Sequence, residues 1–416
     1  MSVRKGRVAA ITAAAALGVS MLLAPSASAA TKTITIWADE QRGPQLKMLV
    51  DGNKSIVPGY TVRVKIFTAL TALQGAWDKA SAASGPDILT GPASMASAGG
   101  KSGKLVSLTY PKAVAKGCST AALSAMSYKG KVYGVPLDVD TTAFLWNKKL
   151  FGDKAPATFG AMVDWYTANK AAKGLKGGIC AFEGTWGAQP IITALGGGAW
   201  AYNGTVPNFK SVLLNSAAFK ANVKKYLLNA DGTSNGFFQW EGCGDAFKNG
   251  TIAFANTGAW NFDGIGSAGV DYGIGAVPGL TATTKGAQWV NYSGAYLTTF
   301  AKKHGVDAGA RNLLMNFFAS KGGQVQMSLA SGRPPAQNAA GSAMTSARTK
   351  AVAAAAKTGT PQISPALDDK AGGSNWYDVL GAVFTSIFTK GEGVDATLDN
   401  AAGILAKNFA DAATSL

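Results

Sequence analysis

Two stretches near the start of the chain alternate apolar and polar positions. Thr33-Ile34-Thr35-Ile36-Trp37 and Thr61-Val62-Arg63-Val64-Lys65-Ile66 carry the period-2, β-branched signature of half-buried strands. Between them residues 44–50 suit a helix with Pro44 in its first turn. Residues 75–83 are helical in composition, and Gly85-Pro86-Asp87-Ile88-Leu89 turns into a third strand. Strands alternating with helices predict a largely parallel α/β sheet. Residues 131–136 read as a short strand ended by Pro136, which cannot donate to a ladder, and Ala143-Phe144-Leu145-Trp146 as a buried one. Asp138 and Asp140 between them are two apart, so an extended chain turns both carboxylates to one side. Residues 336–357, rich in Ala, Ser and Thr, read as a helical connection or a mobile surface segment.

Arg4, Lys5 and Arg7 precede an apolar run over residues 8–23, and Ala27-Ser28-Ala29 follows as a small-residue cleavage pattern. Residues 1–29 therefore read as a secretory signal peptide, with no Cys near the cleavage site to carry a lipid anchor. No comparable apolar span follows, so no membrane insertion is expected of the secreted chain. What remains of the 416 residues is too long for one compact core and suits two domains. The formal charge of +16 comes from lysines scattered singly, such as Lys47, Lys54, Lys65 and Lys79. That is a generally basic surface without a basic-aromatic cluster, and it argues against nucleic acid as a partner.

The sole histidine, His304, sits in a polar run with no nucleophile motif and reads as an exposed loop residue. Ser-His or Cys-His hydrolysis and His/Cys zinc sites are therefore poorly supplied, and no metal or cofactor is expected. Carboxylates are better placed: Asp39 with Glu40, Asp138 with Asp140, and Glu183, among plentiful aromatics. Such residues serve a glycoside hydrolase, where paired carboxylates act as acid and nucleophile. They serve a sugar-binding cleft equally, where carboxylates grip hydroxyls and aromatic rings stack on pyranose C–H faces.

The run Pro136-Leu137-Asp138-Val139-Asp140-Thr141-Thr142-Ala143-Phe144-Leu145-Trp146-Asn147 resembles the signature of the extracellular solute-binding proteins of sugar ABC importers, with Trp146 where Tyr is usual. Further likenesses keep the family's order. They are Gly85 to Leu89, Ser102 to Leu108, the hairpin Tyr128 to Pro136, Ala246 to Phe254 followed by Gly258-Ala259-Trp260, Arg311 to Phe318, and Thr389 to Leu398. The resemblance implies a two-lobed α/β fold, periplasmic-binding-protein-like with hinge crossovers of the class II type. Residues 31–138 plus 293–322 would form lobe one, and 142–289 plus 325–416 lobe two. Crossovers would fall near 138–142, 289–293 and 320–325. Cys180 and Cys243 then lie together in lobe two beside the cleft and are the expected disulfide, with Cys118 left over; the alternative is three separate thiols.

By the same resemblance the chain is a secreted, monomeric, non-enzymatic receptor that delivers an oligosaccharide, maltodextrin-like or related, to an ABC permease. Likeness to maltodextrin-binding proteins points to Asp39, Glu40 and Arg42 after the first strand and to Asp140 at the hinge. It points also to Glu183 and Trp186 in lobe two and to Trp260 and Trp376 as further aromatics. Trp37 reads as buried on its strand, and Asp87 as structural. Gly91-Pro92-Ala93-Ser94-Met95 departs from the family, which usually offers an Asp and often a Trp there, so a different oligosaccharide is expected. The basic charge keeps an acidic sugar open. The rival readings are a secreted hydrolase and the same fold binding another small charged solute.

Overall fold

The computed structural model describes residues 31–204, 206–240, 242–362 and 376–409. The signal-peptide reading of residues 1–29 lies outside them. Fourteen strands occur among the described residues. They are β1 (Lys32–Ala38), β2 (Tyr60–Ile66), β3 (Ile88–Pro92), β4 (Ser127–Tyr128), β5 (Lys131–Val132), β6 (Gly134–Asn147), β7 (Gly177–Ala181), β8 (Ala201–Asn203), β9 (Val206–Asn208), β10 (Phe238–Trp240), β11 (Ile252–Gly258), β12 (Tyr272–Gly275), β13 (Trp289–Leu297) and β14 (Thr360–Pro361). The main sheet runs β10-β7-β11-β6-β13-β3-β1-β2, with β12 on β6 and β14 on β13, while β4-β5 and β8-β9 form separate hairpins.

The alternating stretches lie where the pattern put them. β1 pairs β2 in parallel from Lys32↔Tyr60 to Ala38↔Ile66 and meets β3 at Ile36↔Ile88. The helix Gly43–Gly52 has Pro44 in its first turn and buries Leu46 and Val50, four apart on one face. The helix expected over residues 75–83 lies earlier, at Leu70–Asp78, because the pair that packs inward is Leu73 with Trp77. Residues 336–357 are largely helical, as Asn338–Ala343 and Ala347–Ala356.

Pro136 does not end a strand: β6 runs unbroken for 14 residues through it. Facing it, β13 shifts register between Ser293 and Gly294, so the missing N–H falls at a bulge rather than in the regular ladder. The Pro136 carbonyl accepts a hydrogen bond from Gln324 Nε2 at 2.8 Å.

β6 and β13 pass from one hydrophobic core to another. Val135 and Leu137 of β6, with Ala295 and Leu297 of β13, pack with Ile34, Ile36 and Leu46. Phe144 and Trp146 of β6, with Trp289 of β13, pack with Phe159, Ile179 and Phe254. The chain passes a third time from the first core to the second: the helix Lys321–Ser331 places Met327 in the first, whereas Val352 and Ala355 of the helix Ala347–Ala356 pack with Leu145 and Phe247 of the second half. Gln324 Nε2 bonds to the Pro136 carbonyl and its Oε1 accepts the Gln337 amide at 2.8 Å, holding the first of these helices to the first half. Residues 334–336 then lie along β6, through Val139 N–H to Pro334 O and Ala336 N–H to Leu137 O.

Cys180 of β7 and Cys243 form a disulfide, and Cys118 is a buried free thiol whose pKa burial pushes up to about 11. His304 lies exposed in the turn after the helix Phe300–Lys303, as expected, and its ring is tied down. Its Nδ1 lies 2.7 Å from Asp87 Oδ1 and its Nε2 2.6 Å from the Ala82 carbonyl. Asp87 is buried and also accepts the Thr35 amide, which makes it the structural residue the sequence suggested. Among the described residues no helix is long and apolar enough to cross a membrane.

Candidate ligand-binding site

Asp140, in the middle of β6, gathers side chains from two other segments. Its Oδ2 takes Arg42 Nη2 and its Oδ1 takes Arg333 Nε at 2.7 Å. Arg42 follows β1 and is oriented by Asp39, which accepts Arg42 Nη1 at 2.6 Å and the backbone amides of Gln41 and Arg42. Arg333 follows the helix Lys321–Ser331, donates from Nη2 to Gln41 Oε1 at 2.5 Å, and lays its guanidinium 5.0 Å from the Trp260 ring centroid. Asp138, on the same strand, takes the hydroxyl of Ser293 from β13.

Burial alone would pull the proton off Arg42, but Asp140, Asp39 and Asp138 more than offset it, so the guanidinium is held firmly charged. Asp138 responds the other way. Burial and the neighbouring Asp140 charge raise its pKa, outweighing the pull of Arg333, Arg42 and the Ser293 hydroxyl.

The second half supplies the aromatic side chains beside this cluster. β7 ends at Ala181, and the chain turns through Gly184, at a φ of 54 that suits glycine, into the helix Thr185–Ala194. β11 ends in the short 3-10 turn Ala259–Asn261. These two ends bring Trp186 and Trp260 into a stack, centroids 5.6 Å apart and planes 24° from parallel, both half-buried. Glu183 beside them accepts Thr257 Oγ1 and Asn261 Nδ2, both at 2.6 Å, on Oε1. Its Oε2 is buried without a hydrogen-bond partner, as is Trp186 Nε1. Burial lifts the Glu183 pKa to about 7, against the opposing pull of Thr257, Gly258, Asn261 and Trp260.

A family model described as bacterial extracellular solute-binding protein matches residues 58–361 of the chain. The chain belongs to that family. It is a solute-binding protein rather than a hydrolase, and the tethered state of Asp138 and Asp140 fits this, since neither is free to serve as acid or nucleophile. The galactooligosaccharide-binding protein of Bacillus subtilis (strain 168) is 25% identical over 299 residues, covering 69% of this chain and 70% of that one. The maltooligosaccharide ABC transporter solute-binding lipoprotein of Streptococcus pneumoniae R6 is 24% identical over 264 residues, 62% of each chain. Its counterpart from strain TIGR4 is 24% identical over the same share.

In this solute-binding protein the expected site residues fall into three groups. Asp140, Arg42, Glu183, Trp186 and Trp260 form one connected constellation through the contacts above. Glu40 is exposed at its edge, 3.5 Å from the Gln41 side-chain amide. Asp39 and Trp376 need correction as ligand contacts. Asp39 is 0% exposed with both oxygens engaged, so it acts by positioning Arg42. Trp376 is 1% exposed and packs at 4.8 Å from Trp289 and 5.9 Å from Trp200, in the second core.

Arg333 and Gln41 escaped the sequence reading. The available signal was compositional: five arginines follow residue 29 in a lysine-rich chain, and Arg333 lies between Gly332 and Pro334-Pro335. A buried, forked pairing is the role that favours Arg over Lys.

Proposed function

We propose that this chain is a secreted receptor that captures an oligosaccharide between two lobes and delivers it to an ABC permease. Family membership supports solute capture, and the galacto- and maltooligosaccharide proteins among its relatives support a sugar as the solute. The observation that carries the reading is the Trp186–Trp260 stack beside the unpartnered Glu183 Oε2, facing the Asp140 cluster. A half-buried aromatic pair offers a platform for pyranose C–H faces, and the orphaned oxygen offers a bond to a hydroxyl. Trp186, Trp260 and Glu183 are the proposed direct contacts, with Arg42, Asp140 and Arg333 forming the floor.

Lobe one is taken as residues 31–138 and 293 to about 331, and lobe two as 142–289 with the described residues of 346–362 and 376–409. Sugar contacts made from both lobes exist only when the lobes are closed, so ligand shifts the open-closed equilibrium by its differential affinity. A galacto- or malto-type oligosaccharide is the favoured ligand. Small-angle scattering with and without a saturating oligosaccharide, with product analysis of the sugar, tests this. Compaction with unchanged sugar is expected, and binding without compaction would refute the closure mechanism.

A further inference from the structure

Lysines scattered singly along the sequence are gathered at one end of the first half. β1 begins at Lys32, whose Nζ donates to the Gly305 carbonyl at 3.0 Å, next to Lys302 and Lys303 of the helix Phe300–Lys303. The Thr299 amide, just before that helix, donates to the Lys104 carbonyl at 2.9 Å. Lys104 Nζ in turn donates to the carbonyls of Trp77 and Asp78, at 2.9 and 2.7 Å, which brings Lys79 alongside. The loop from Ser81 to Gly85 joins the group, since a Cβ on Gly85 would lie 2.3 Å from the Phe300 ring. Lys32, Lys79, Lys302 and Lys303 are exposed, and none of the five lysines pairs with a carboxylate among the described residues. Nearby acids offset little of this charge. Asp87 is buried and taken by His304, Asp307 is taken by Arg311, and Asp78 is exposed beside Lys79.

The imbalance belongs to the first half. Residues 31–138 and 293–331 hold 17 Lys and Arg against 7 Asp and Glu, whereas residues 142–289, 346–362 and 376–409 hold 17 against 12. In the second half Lys148, Lys220, Lys224, Lys248 and Arg348 each meet an Asp. β1 separates the lysines from the candidate site: it starts at Lys32 and leads, after seven extended residues, to Asp39 and Arg42. At the usual rise of a strand that is roughly 20 Å.

Exposed ammonium groups carried on four separate segments suit a partner that repeats its negative charge along its length. The large apolar side chains exposed among the described residues, Met48, Ile66, Val206, Leu280 and Leu329, lie elsewhere, so none of them can anchor this end in lipid. Trp77 and Phe300 are buried beneath the lysines and offer no platform for nucleobases. We propose that this end of the first half binds a phosphodiester polymer of the cell envelope, which retains the secreted receptor at the surface and leaves the cleft, at the other end of β1, free for solute. The proposal goes beyond sugar capture and needs only the secreted location, not the identity of the solute.

Fluorescence anisotropy of the secreted protein with end-labelled poly(glycerol phosphate), from low to high sodium chloride, tests this. Log affinity should fall with log salt at a slope of about −3, because each neutralised phosphate of a single chain contributes about 0.7. Lys79→Gln combined with Lys302→Gln and Lys303→Gln should weaken binding about tenfold at low salt and flatten the slope by about 2, with thermal transition and oligosaccharide affinity unchanged. Lys149→Gln combined with Lys173→Gln and Lys176→Gln removes the same charge from exposed positions of the second half and should weaken binding by less than about threefold. Equal losses in the two triple variants would reduce the effect to net charge and overturn the docking surface, as would no binding at low salt. Vesicles of phosphatidylglycerol and phosphatidylcholine with the same phosphate concentration should bind more weakly than the polymer. Tighter binding to the vesicles would place the partner in the membrane and overturn the polymer assignment. Polymer binding that persists in a protein that takes up no oligosaccharide would sink the sugar reading and leave this proposal standing.

Discussion

Arg333 donates from Nε to Oδ1 of Asp140 at 2.7 Å, which joins the third passage of the chain between the two halves to the middle of the first. The other oxygen of the same carboxylate holds Arg42. Three segments far apart in sequence therefore converge on one buried charge.

Breaking that convergence should be costly. Arg333→Met removes one partner of a buried pair and should lower unfolding free energy by about 3 kcal/mol in urea titrations. Arg333→Lys should recover only part, because an ammonium cannot reach Asp140 and Gln41 together as a fork. Wild-type stability in Arg333→Met would show that the pair contributes little.

Glu183 should make the protein less stable as pH rises. Its folded pKa, about 7, lies above the ordinary 4.5, so the native state holds its proton more tightly than the unfolded chain. The resulting loss begins near pH 4.5 and is complete above pH 7, at about 3 kcal/mol for the shift. Glu183→Gln should abolish this slope and be the more stable protein at pH 8, read by urea unfolding across pH.

His304 contributes in the same direction for a different reason. Both ring nitrogens face acceptors, Asp87 and the Ala82 carbonyl, so both must carry protons. Burial opposes the charge, but these two partners outweigh it and raise the pKa. Its stabilisation is full below the ordinary pKa of 6.5 and is lost as pH rises through the folded value. NMR titration of the imidazole should show the raised pKa, and His304→Gln should flatten the stability profile in this window.

The disulfide spans 63 residues between β7 and the helix Gly244–Lys248. Removing it by Cys180→Ser with Cys243→Ser should cost about 4 kcal/mol through loop entropy in the unfolded chain. The remaining Cys118 thiol should react with a thiol reagent only on unfolding, since it is buried with its pKa near 11.

Two tryptophans should separate packing from recognition. Trp376→Ala should cost about 3 to 5 kcal/mol of stability because it empties part of a core. Trp186→Ala, which removes a half-buried ring, should cost less stability than Trp376→Ala yet bind oligosaccharide about tenfold more weakly. Equal affinity in Trp186→Ala would remove it from the sugar platform.

Much of this was legible in the sequence. The alternation in β1 and β2 and the motif through Pro136 to Asn147 led to the right sheet and the right strand, because period and order are local properties. What failed was tertiary. Pro136 does not stop β6, since the extra residue Leu137 makes a bulge there against Ser293 and Gly294 of β13. Trp376 looked like an aromatic platform and proved to be core, and nothing local separates those fates. Arg333 was invisible because its role depends on three partners spread along the chain, at positions 41, 140 and 260.

The paired strands β6 and β13 have a mechanical consequence. Two chain segments joined side by side by hydrogen bonds behave as a ribbon rather than as two loose tethers. Relative movement of the halves must flex that ribbon, and flexing raises energy smoothly on either side of its rest shape. The bulge opposite Ser293 and Gly294 interrupts the ladder. The receptor is therefore sprung, with a preferred angle set by its own backbone before any solute arrives.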